Sequence, residues 1–197
     1  MAPPSQDSRQ RIIQAARDAF TTQGYRSSIE HIAQLAGVAK QTVYNHFPTK
    51  EALFDEMTRE NLNMFVVSLS GSPSHPRQTL LEFGRKYYEG VLSGQCVAWV
   101  RMIAAESPRF PEMAARSYEL GPAAMLAQLA DYLRRAMEVG QLRQDDPVLA
   151  AEILYGMLSG AERTRMLFNA EREPYDQEVR VTAIIDCFMR AYAPHEA

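Results

Sequence analysis

Apolar residues recur along this chain at intervals of three and four, the spacing of one helical face at 3.6 residues per turn, and no convincing strand pair interrupts them. Ile12, Ile13, Ala16, Ala19 and Phe20 form a first stripe beginning near Ser8. Gly24 ends it, because glycine tolerates the left-handed turn that closes a helix. Ser28 then precedes Ile29, Ile32, Ala33 and Ala36, the pattern of a short capped helix closed by Gly37, with Glu30 and His31 on its solvated side. A third short helix runs from Lys40 to Phe47 and stops before Pro48, since a residue preceding proline is pushed away from helical angles. Thr49 can cap a fourth helix starting at Lys50, with Leu53, Phe54, Met57, Leu62, Phe65, Val66 and Leu69 as its apolar positions.

The stretch from Ser70 to Pro76, rich in serine, glycine and proline, reads as a linker. Beyond it the pattern predicts helices over 77–92, 95–105, 111–120 and 123–139, divided by Gly94, Pro108, Gly121-Pro122 and Gly140. Asp146-Pro147 is a cap followed by the favoured first-turn proline, opening a long helix to about residue 168. Pro174 opens a last one that ends near Tyr192. The expectation is an all-α chain of about nine to ten helices: a three-helix N-terminal head over 1–50, a connecting helix over 50–70, and a larger helical bundle over 71–197.

Composition narrows the function. Hydrophobic residues make up 46% of the 197, enough for a packed core. Net charge is only −3, but six cations against three anions give residues 1–50 a net of +3, leaving −6 on the remainder. A mildly positive head on an acidic body fits a nucleic-acid contact confined to the N-terminus. Cys96 and Cys187 lie far apart, without metal-ligand spacing, so no zinc site, disulfide framework or cofactor is expected. The start has no apolar core of a signal peptide, and no run approaches the roughly 20 apolar residues that span a bilayer. A cytoplasmic protein with no membrane partner is the expectation.

Residues 28–47 have the layout of a helix-turn-helix around Gly37-Val38-Ala39. At 100° per residue, Ala39, Val43 and Phe47 share the packing face of the second helix, while Gln41, Tyr44 and Asn45 lie opposite, where a major groove could receive them. Thr42 and His46 sit on a flank suited to phosphate oxygens. The run from Ile32 through Thr42-Val-Tyr-Asn-His-Phe-Pro-Thr-Lys50 to Leu53 resembles the head of the TetR family of bacterial transcriptional regulators, over about residues 8–57. Ala39 departs from the serine or threonine usual at that position, so the helix it opens lacks a strong cap. The resemblance implies phosphate contacts from Ser28, Thr42, Tyr44, His46 and Lys50, and base reading by Lys40, Gln41, Tyr44 and Asn45. Glutamine and asparagine pair with adenine, lysine donates to guanine, and a tyrosine ring touches a thymine methyl.

It also implies a homodimer on an inverted-repeat, double-stranded operator, released by a small-molecule effector bound in the body. The aromatic and methionine-rich helices offer Phe65, Phe83, Tyr87, Trp99, Met102, Ile103, Tyr118 and Met125 as pocket residues, although each is equally an ordinary core residue. For the dimer, Leu149, Ile153, Met157, Ala161 and Phe168 on one long helix and Val181, Ile184, Ile185, Phe188 and Tyr192 on the next have faces wider than one partner requires. Gly156 and Gly160 permit close approach. An enzyme is not expected, since no catalytic motif is present. A thiol redox sensor and an activator stay open as alternatives.

Overall fold

Ten α-helices and no strands make up the described residues, 4–171 and 173–194, of a computed structural model of the chain. α1 (Pro4–Gln23), α2 (Ile29–Ala36) and α3 (Lys40–His46) pack around Ile12, Ala16, Phe20, Ile32 and Val43, all fully buried. Gly24 and Gly37 take φ of 80° and 64°, the left-handed turns that end α1 and α2. α4 (Lys50–Val66) opens under Thr49, whose hydroxyl accepts from the Ala52 N–H at 3.0 Å. A 3₁₀ turn, Val67–Ser70, follows. Then come α5 (Pro76–Val91), α6 (Gly94–Glu106), α7 (Pro111–Tyr118), α8 (Ala124–Glu138), α9 (Pro147–Leu167) and α10 (Gln177–Ala191).

The compact units do not follow the expected cut near residue 70. One unit combines 1–60 with 98–120, and the other combines 61–97 with 121–197. α4 and α6 therefore each have residues in both units. The first unit draws α6 and α7 into the head core: Trp99 lies on Phe54 with centroids 4.6 Å apart, and Phe110 meets Tyr25 edge-on at 5.2 Å. Such aromatic pairs are worth about 0.5–1.5 kcal/mol beyond the area they bury. Arg116 on α7 grips the buried Asp55 of α4, Nε standing 2.7 Å from both carboxylate oxygens. The expected linker is not loose either. Tyr132 donates its hydroxyl to the Ser72 carbonyl at 3.1 Å, and Arg135 donates to that of Leu69 at 2.9 Å.

In the second unit α5, α8, α9 and α10 surround Phe83, Tyr87, Leu129, Leu133, Leu154, Ile185 and Phe188. Asp146 caps α9, its Oδ1 accepting from Val148 N at 2.8 Å and Leu149 N at 3.3 Å. Two expected boundaries are corrected. Gly121-Pro122 does not break the chain into loop; Glu119–Ala123 form a π turn containing Pro122, whose wider i→i+5 ladder accommodates a residue without an N–H. The last helix opens not at Pro174 but behind Asp176, whose carboxylate accepts from Glu178 N and Val179 N. A third correction concerns the dimer stripe of α10. Val181, Ile185, Phe188 and Tyr192 are buried inside their own unit, because Gly84 of α5 leaves a slot where a Cβ would stand 2.8 Å from Val181 Cγ1.

Candidate nucleic-acid interface

The head presents α3 through a turn that the sequence specifies residue by residue. The Ser28 hydroxyl accepts from His31 N at 3.1 Å, which fixes the start of α2 and occupies that side chain locally. At the other end the Gly37 N–H returns to Ala33 and Gln34 carbonyls, and Arg11 of α1 reaches the Ala36 carbonyl at 3.1 Å. Ala39 has the extended backbone of an N-cap (φ −70°, ψ 147°) but no side-chain bond to the helix. It is exposed rather than packed, since the cap precedes the first helical turn and its Cβ points away from the face of Val43 and Phe47.

Gln41, Tyr44 and Asn45 are exposed together on α3, with Lys40 beside them. Gln41 Nε2 donates to Asn45 Oδ1 at 3.1 Å, which aligns the two amides along the helix. Lys40 is paired with Glu30 of α2 and lies 5.6 Å from the Tyr44 ring centroid. The pair raises the lysine pKa, first through the hydrogen bond, but both side chains are exposed and such a bond is readily exchanged for a phosphate. Thr42 and His46 are half-buried on the flank, and His46 Nε2 lies 3.0 Å from the Ser8 hydroxyl, tying α3 to α1.

Lys50 sits differently from the other residues of this set. Its amine rests 4.5 Å from the Tyr25 ring centroid and 5.7 Å from that of Phe20, and burial holds its pKa down. Tyr25, buried and close to Glu51, is pushed up to about 12.

The expected pocket residues fall into two sets. Phe83, Tyr87 and Met125 lie in the core of the second unit. Trp99, Met102 and Ile103 belong to the core of the first, and Tyr118, also in the first, is 58% exposed. Helical spacing gives a face but not the partner that covers it, and here Phe54 and Asp55 decide the partner. The Phe65 side chain lies outside the described residues. Beside Tyr87 the second unit holds three polar residues of α9 outside the expected set, Tyr155, Ser159 and Arg163. Only their i, i+4 spacing on α9 could have suggested them. No group of three or more His, Cys, Asp or Glu among the described residues could hold a metal, and no helix among them is long and apolar enough to cross a membrane.

Residues 12–57 match the bacterial regulatory proteins, tetR family, and residues 78–194 match the AefR-like transcriptional repressor C-terminal domain. The chain belongs to the TetR family, DNA-binding transcriptional regulators that respond to ligands, rather than to a family of enzymes. RutR of Escherichia coli K12 is 39% identical over 59 residues, a stretch that spans 29% of this chain and 28% of that protein. The repressor Rv1474c of Mycobacterium tuberculosis is 25% identical over 140 residues, 71% of each chain. Among solved structures, a regulator assigned to this family from Mesorhizobium loti has a TM-score of 0.80 at 29% identity, covering 97% of this chain and 99% of its own. The flavonoid-responsive regulator FrrA has a TM-score of 0.73 at 31% identity, covering 96% and 98%.

Proposed function

We propose that the protein is a repressor that binds an inverted-repeat operator as a homodimer, one α3 per half-site, and leaves it when an apolar aromatic effector enters the second unit. The observation that carries the DNA-reading role is the exposure of Gln41, Tyr44 and Asn45 as one face on a helix whose opposite residues, Val43 and Phe47, are buried. Phosphate contacts fall to Ser28, Thr42, Tyr44, His46 and Lys50, and base contacts to Lys40, Gln41, Tyr44 and Asn45. Lys50 would have to leave the Tyr25 ring to do this.

Dimerisation is supported by the face of α9 that its own unit leaves open. Val148, Leu149 and Ile153 are exposed, and a Cβ added at Gly156 or Gly160 would meet nothing within 4 Å. Ala183 and Cys187 of α10 are exposed as well and would extend that surface. An aromatic effector is supported by the Phe83, Tyr87 and Met125 interior and by the flavonoid response of FrrA. Because α4 and α6 have residues in both units, a ligand that shifts either helix would reach the head along the chain. The test is operator titration with and without a flavone. Linkage requires that DNA weaken flavone binding by the same factor as flavone weakens DNA binding, typically about 5- to 150-fold. A flavone that raises the melting temperature yet leaves operator affinity unchanged would overturn the effector role.

A further inference from the structure

Arg163 of α9 differs from most arginines of the described chain. Arg77, Arg85, Arg116 and Arg134 each meet a carboxylate within hydrogen-bonding distance, and all are exposed. Arg163 is half-buried and forms no ion pair among the described residues. Its Nη1 donates to the Tyr155 hydroxyl at 2.6 Å, one of five N–H donors on the group. A phenol oxygen accepts the bond but supplies no counter-charge, and a guanidinium taken partly out of water is costly without one.

The surroundings fit an aromatic ligand. Tyr87 and Tyr155 meet edge to face at 5.9 Å between centroids. Ser159 donates its hydroxyl proton to the Tyr155 carbonyl at 2.8 Å, so the 2.5 Å contact between Tyr87 and Ser159 hydroxyls uses the tyrosine as donor. Burial, before any neighbour, pushes the Tyr87 phenol up and keeps it a neutral donor. With the Ser159 proton and that of Tyr87 both committed, Arg163 is the cation left to receive a negative oxygen. Between Ser159 and Arg163 the backbone of α9 leaves helical geometry at Gly160 (φ 31°, ψ −144°), so the residues of this cluster flank a break in the hydrogen-bond ladder.

We propose that Arg163, with the Tyr155 hydroxyl beside it, is the anion subsite of the effector site, and that the effector is an aromatic body carrying one oxyanion. This rests on the reading that the second unit holds the effector. A guanidinium offers parallel N–H donors that suit a carboxylate or an ionised phenol, and both carry the shared chemistry.

Calorimetric titration of the full-length protein with two matched pairs tests it: 2-naphthoate against 2-naphthamide, and 7-hydroxyflavone against 7-methoxyflavone at a pH where the phenol is ionised. In at least one pair the anion binds about tenfold or more tightly than its neutral partner, the scale of a hydrogen bond to a charged group. The pair that shows the preference tells a carboxylate source from a phenolate one. Arg163→Met abolishes that preference and leaves the neutral compound's affinity within about twofold, while Arg163→Lys keeps part of it. If Arg163→Met loses its helical circular dichroism, Arg163→Gln replaces it. Equal affinities within both wild-type pairs, no binding by any of the four, or a preference that survives in the methionine variant overturns the subsite. Operator titration separates the two readings. An Arg163-dependent preference with unchanged operator affinity retains the subsite and removes the effector role; release of DNA by neutral and anionic compounds alike does the reverse.

Discussion

Gln41 and Asn45 hold each other's amides in the absence of DNA, and this local bond sets what a mutation there should show. Each amide needs its own donor and acceptor to pair with an adenine edge, so the 3.1 Å bond between them must be given up when bases are read. Gln41→Ala and Asn45→Ala are expected to change base preference by about 1–3 kcal/mol at one position each, measured by binding to a panel of single-base operator variants. Equal losses on operator and random DNA would remove both from base reading. Lys50→Ala should weaken all sequences alike and flatten the salt dependence by about one phosphate contact. Because its amine lies on Tyr25, an unchanged salt slope together with a lower melting temperature would instead assign Lys50 to the head core.

At the scale of the element, α3 is a seven-residue helix with an extended N-cap backbone and no capping side chain. Ala39→Ser places a hydroxyl where it can accept from the second or third N–H of α3, and Ala39 is exposed, so no packing is lost. The variant should be more stable by about 1 kcal/mol. That corresponds to a rise of about 2–4 °C in melting temperature by calorimetry for a chain of this size. No change would show that the serine hydroxyl stays with water rather than bonding Gln41 N, Thr42 N being already bonded to the Ala39 carbonyl at 2.9 Å. α9 makes a different point at the same scale. Its helical spacing singles out Leu149, Ile153, Met157, Ala161 and Phe168, whereas the residues that bury are Ala150, Leu154 and Leu158, and it does not give the break at Gly160, because nothing local distinguishes that glycine from Gly156.

For the whole molecule the decisive surface is the one that a single chain leaves uncovered. Ile153 is 41% exposed on α9, so Ile153→Glu should fold normally while disfavouring a helix-to-helix contact between two copies. Light scattering is expected to give a monomer. Operator affinity should fall by about 10²–10⁴, the gain that linking two half-site contacts provides. A variant that stays dimeric with full operator affinity would place the interface elsewhere. The helices, their caps at Ser28, Thr49 and Asp146, and the family-like head were legible in the sequence. Each depends on residues within one turn of one another or on a short fixed spacing. The effector residues were legible only in part, since Phe83, Tyr87 and Met125 share a core whereas Trp99, Met102 and Ile103 belong to another.

The sequence by itself determined the helical periodicity, the turn at Gly37 and the outward face of Gln41, Tyr44 and Asn45. The physical reason is local: backbone sterics and a 100° rotation per residue leave those side chains one direction each. Tertiary structure alone decided which helices share a core. Asp55 and Arg116 are 61 positions apart, as are no residues that periodicity can relate, yet their pairing helps place α7 in the unit that carries α3. It also decided that Val181 turns inward onto Gly84 while Ile153 stays exposed, and that Arg163 ends half-buried beside two tyrosines. An apolar stripe states that a face must be covered; only the packed chain determines what covers it, and which charge has a phenol rather than a carboxylate beside it.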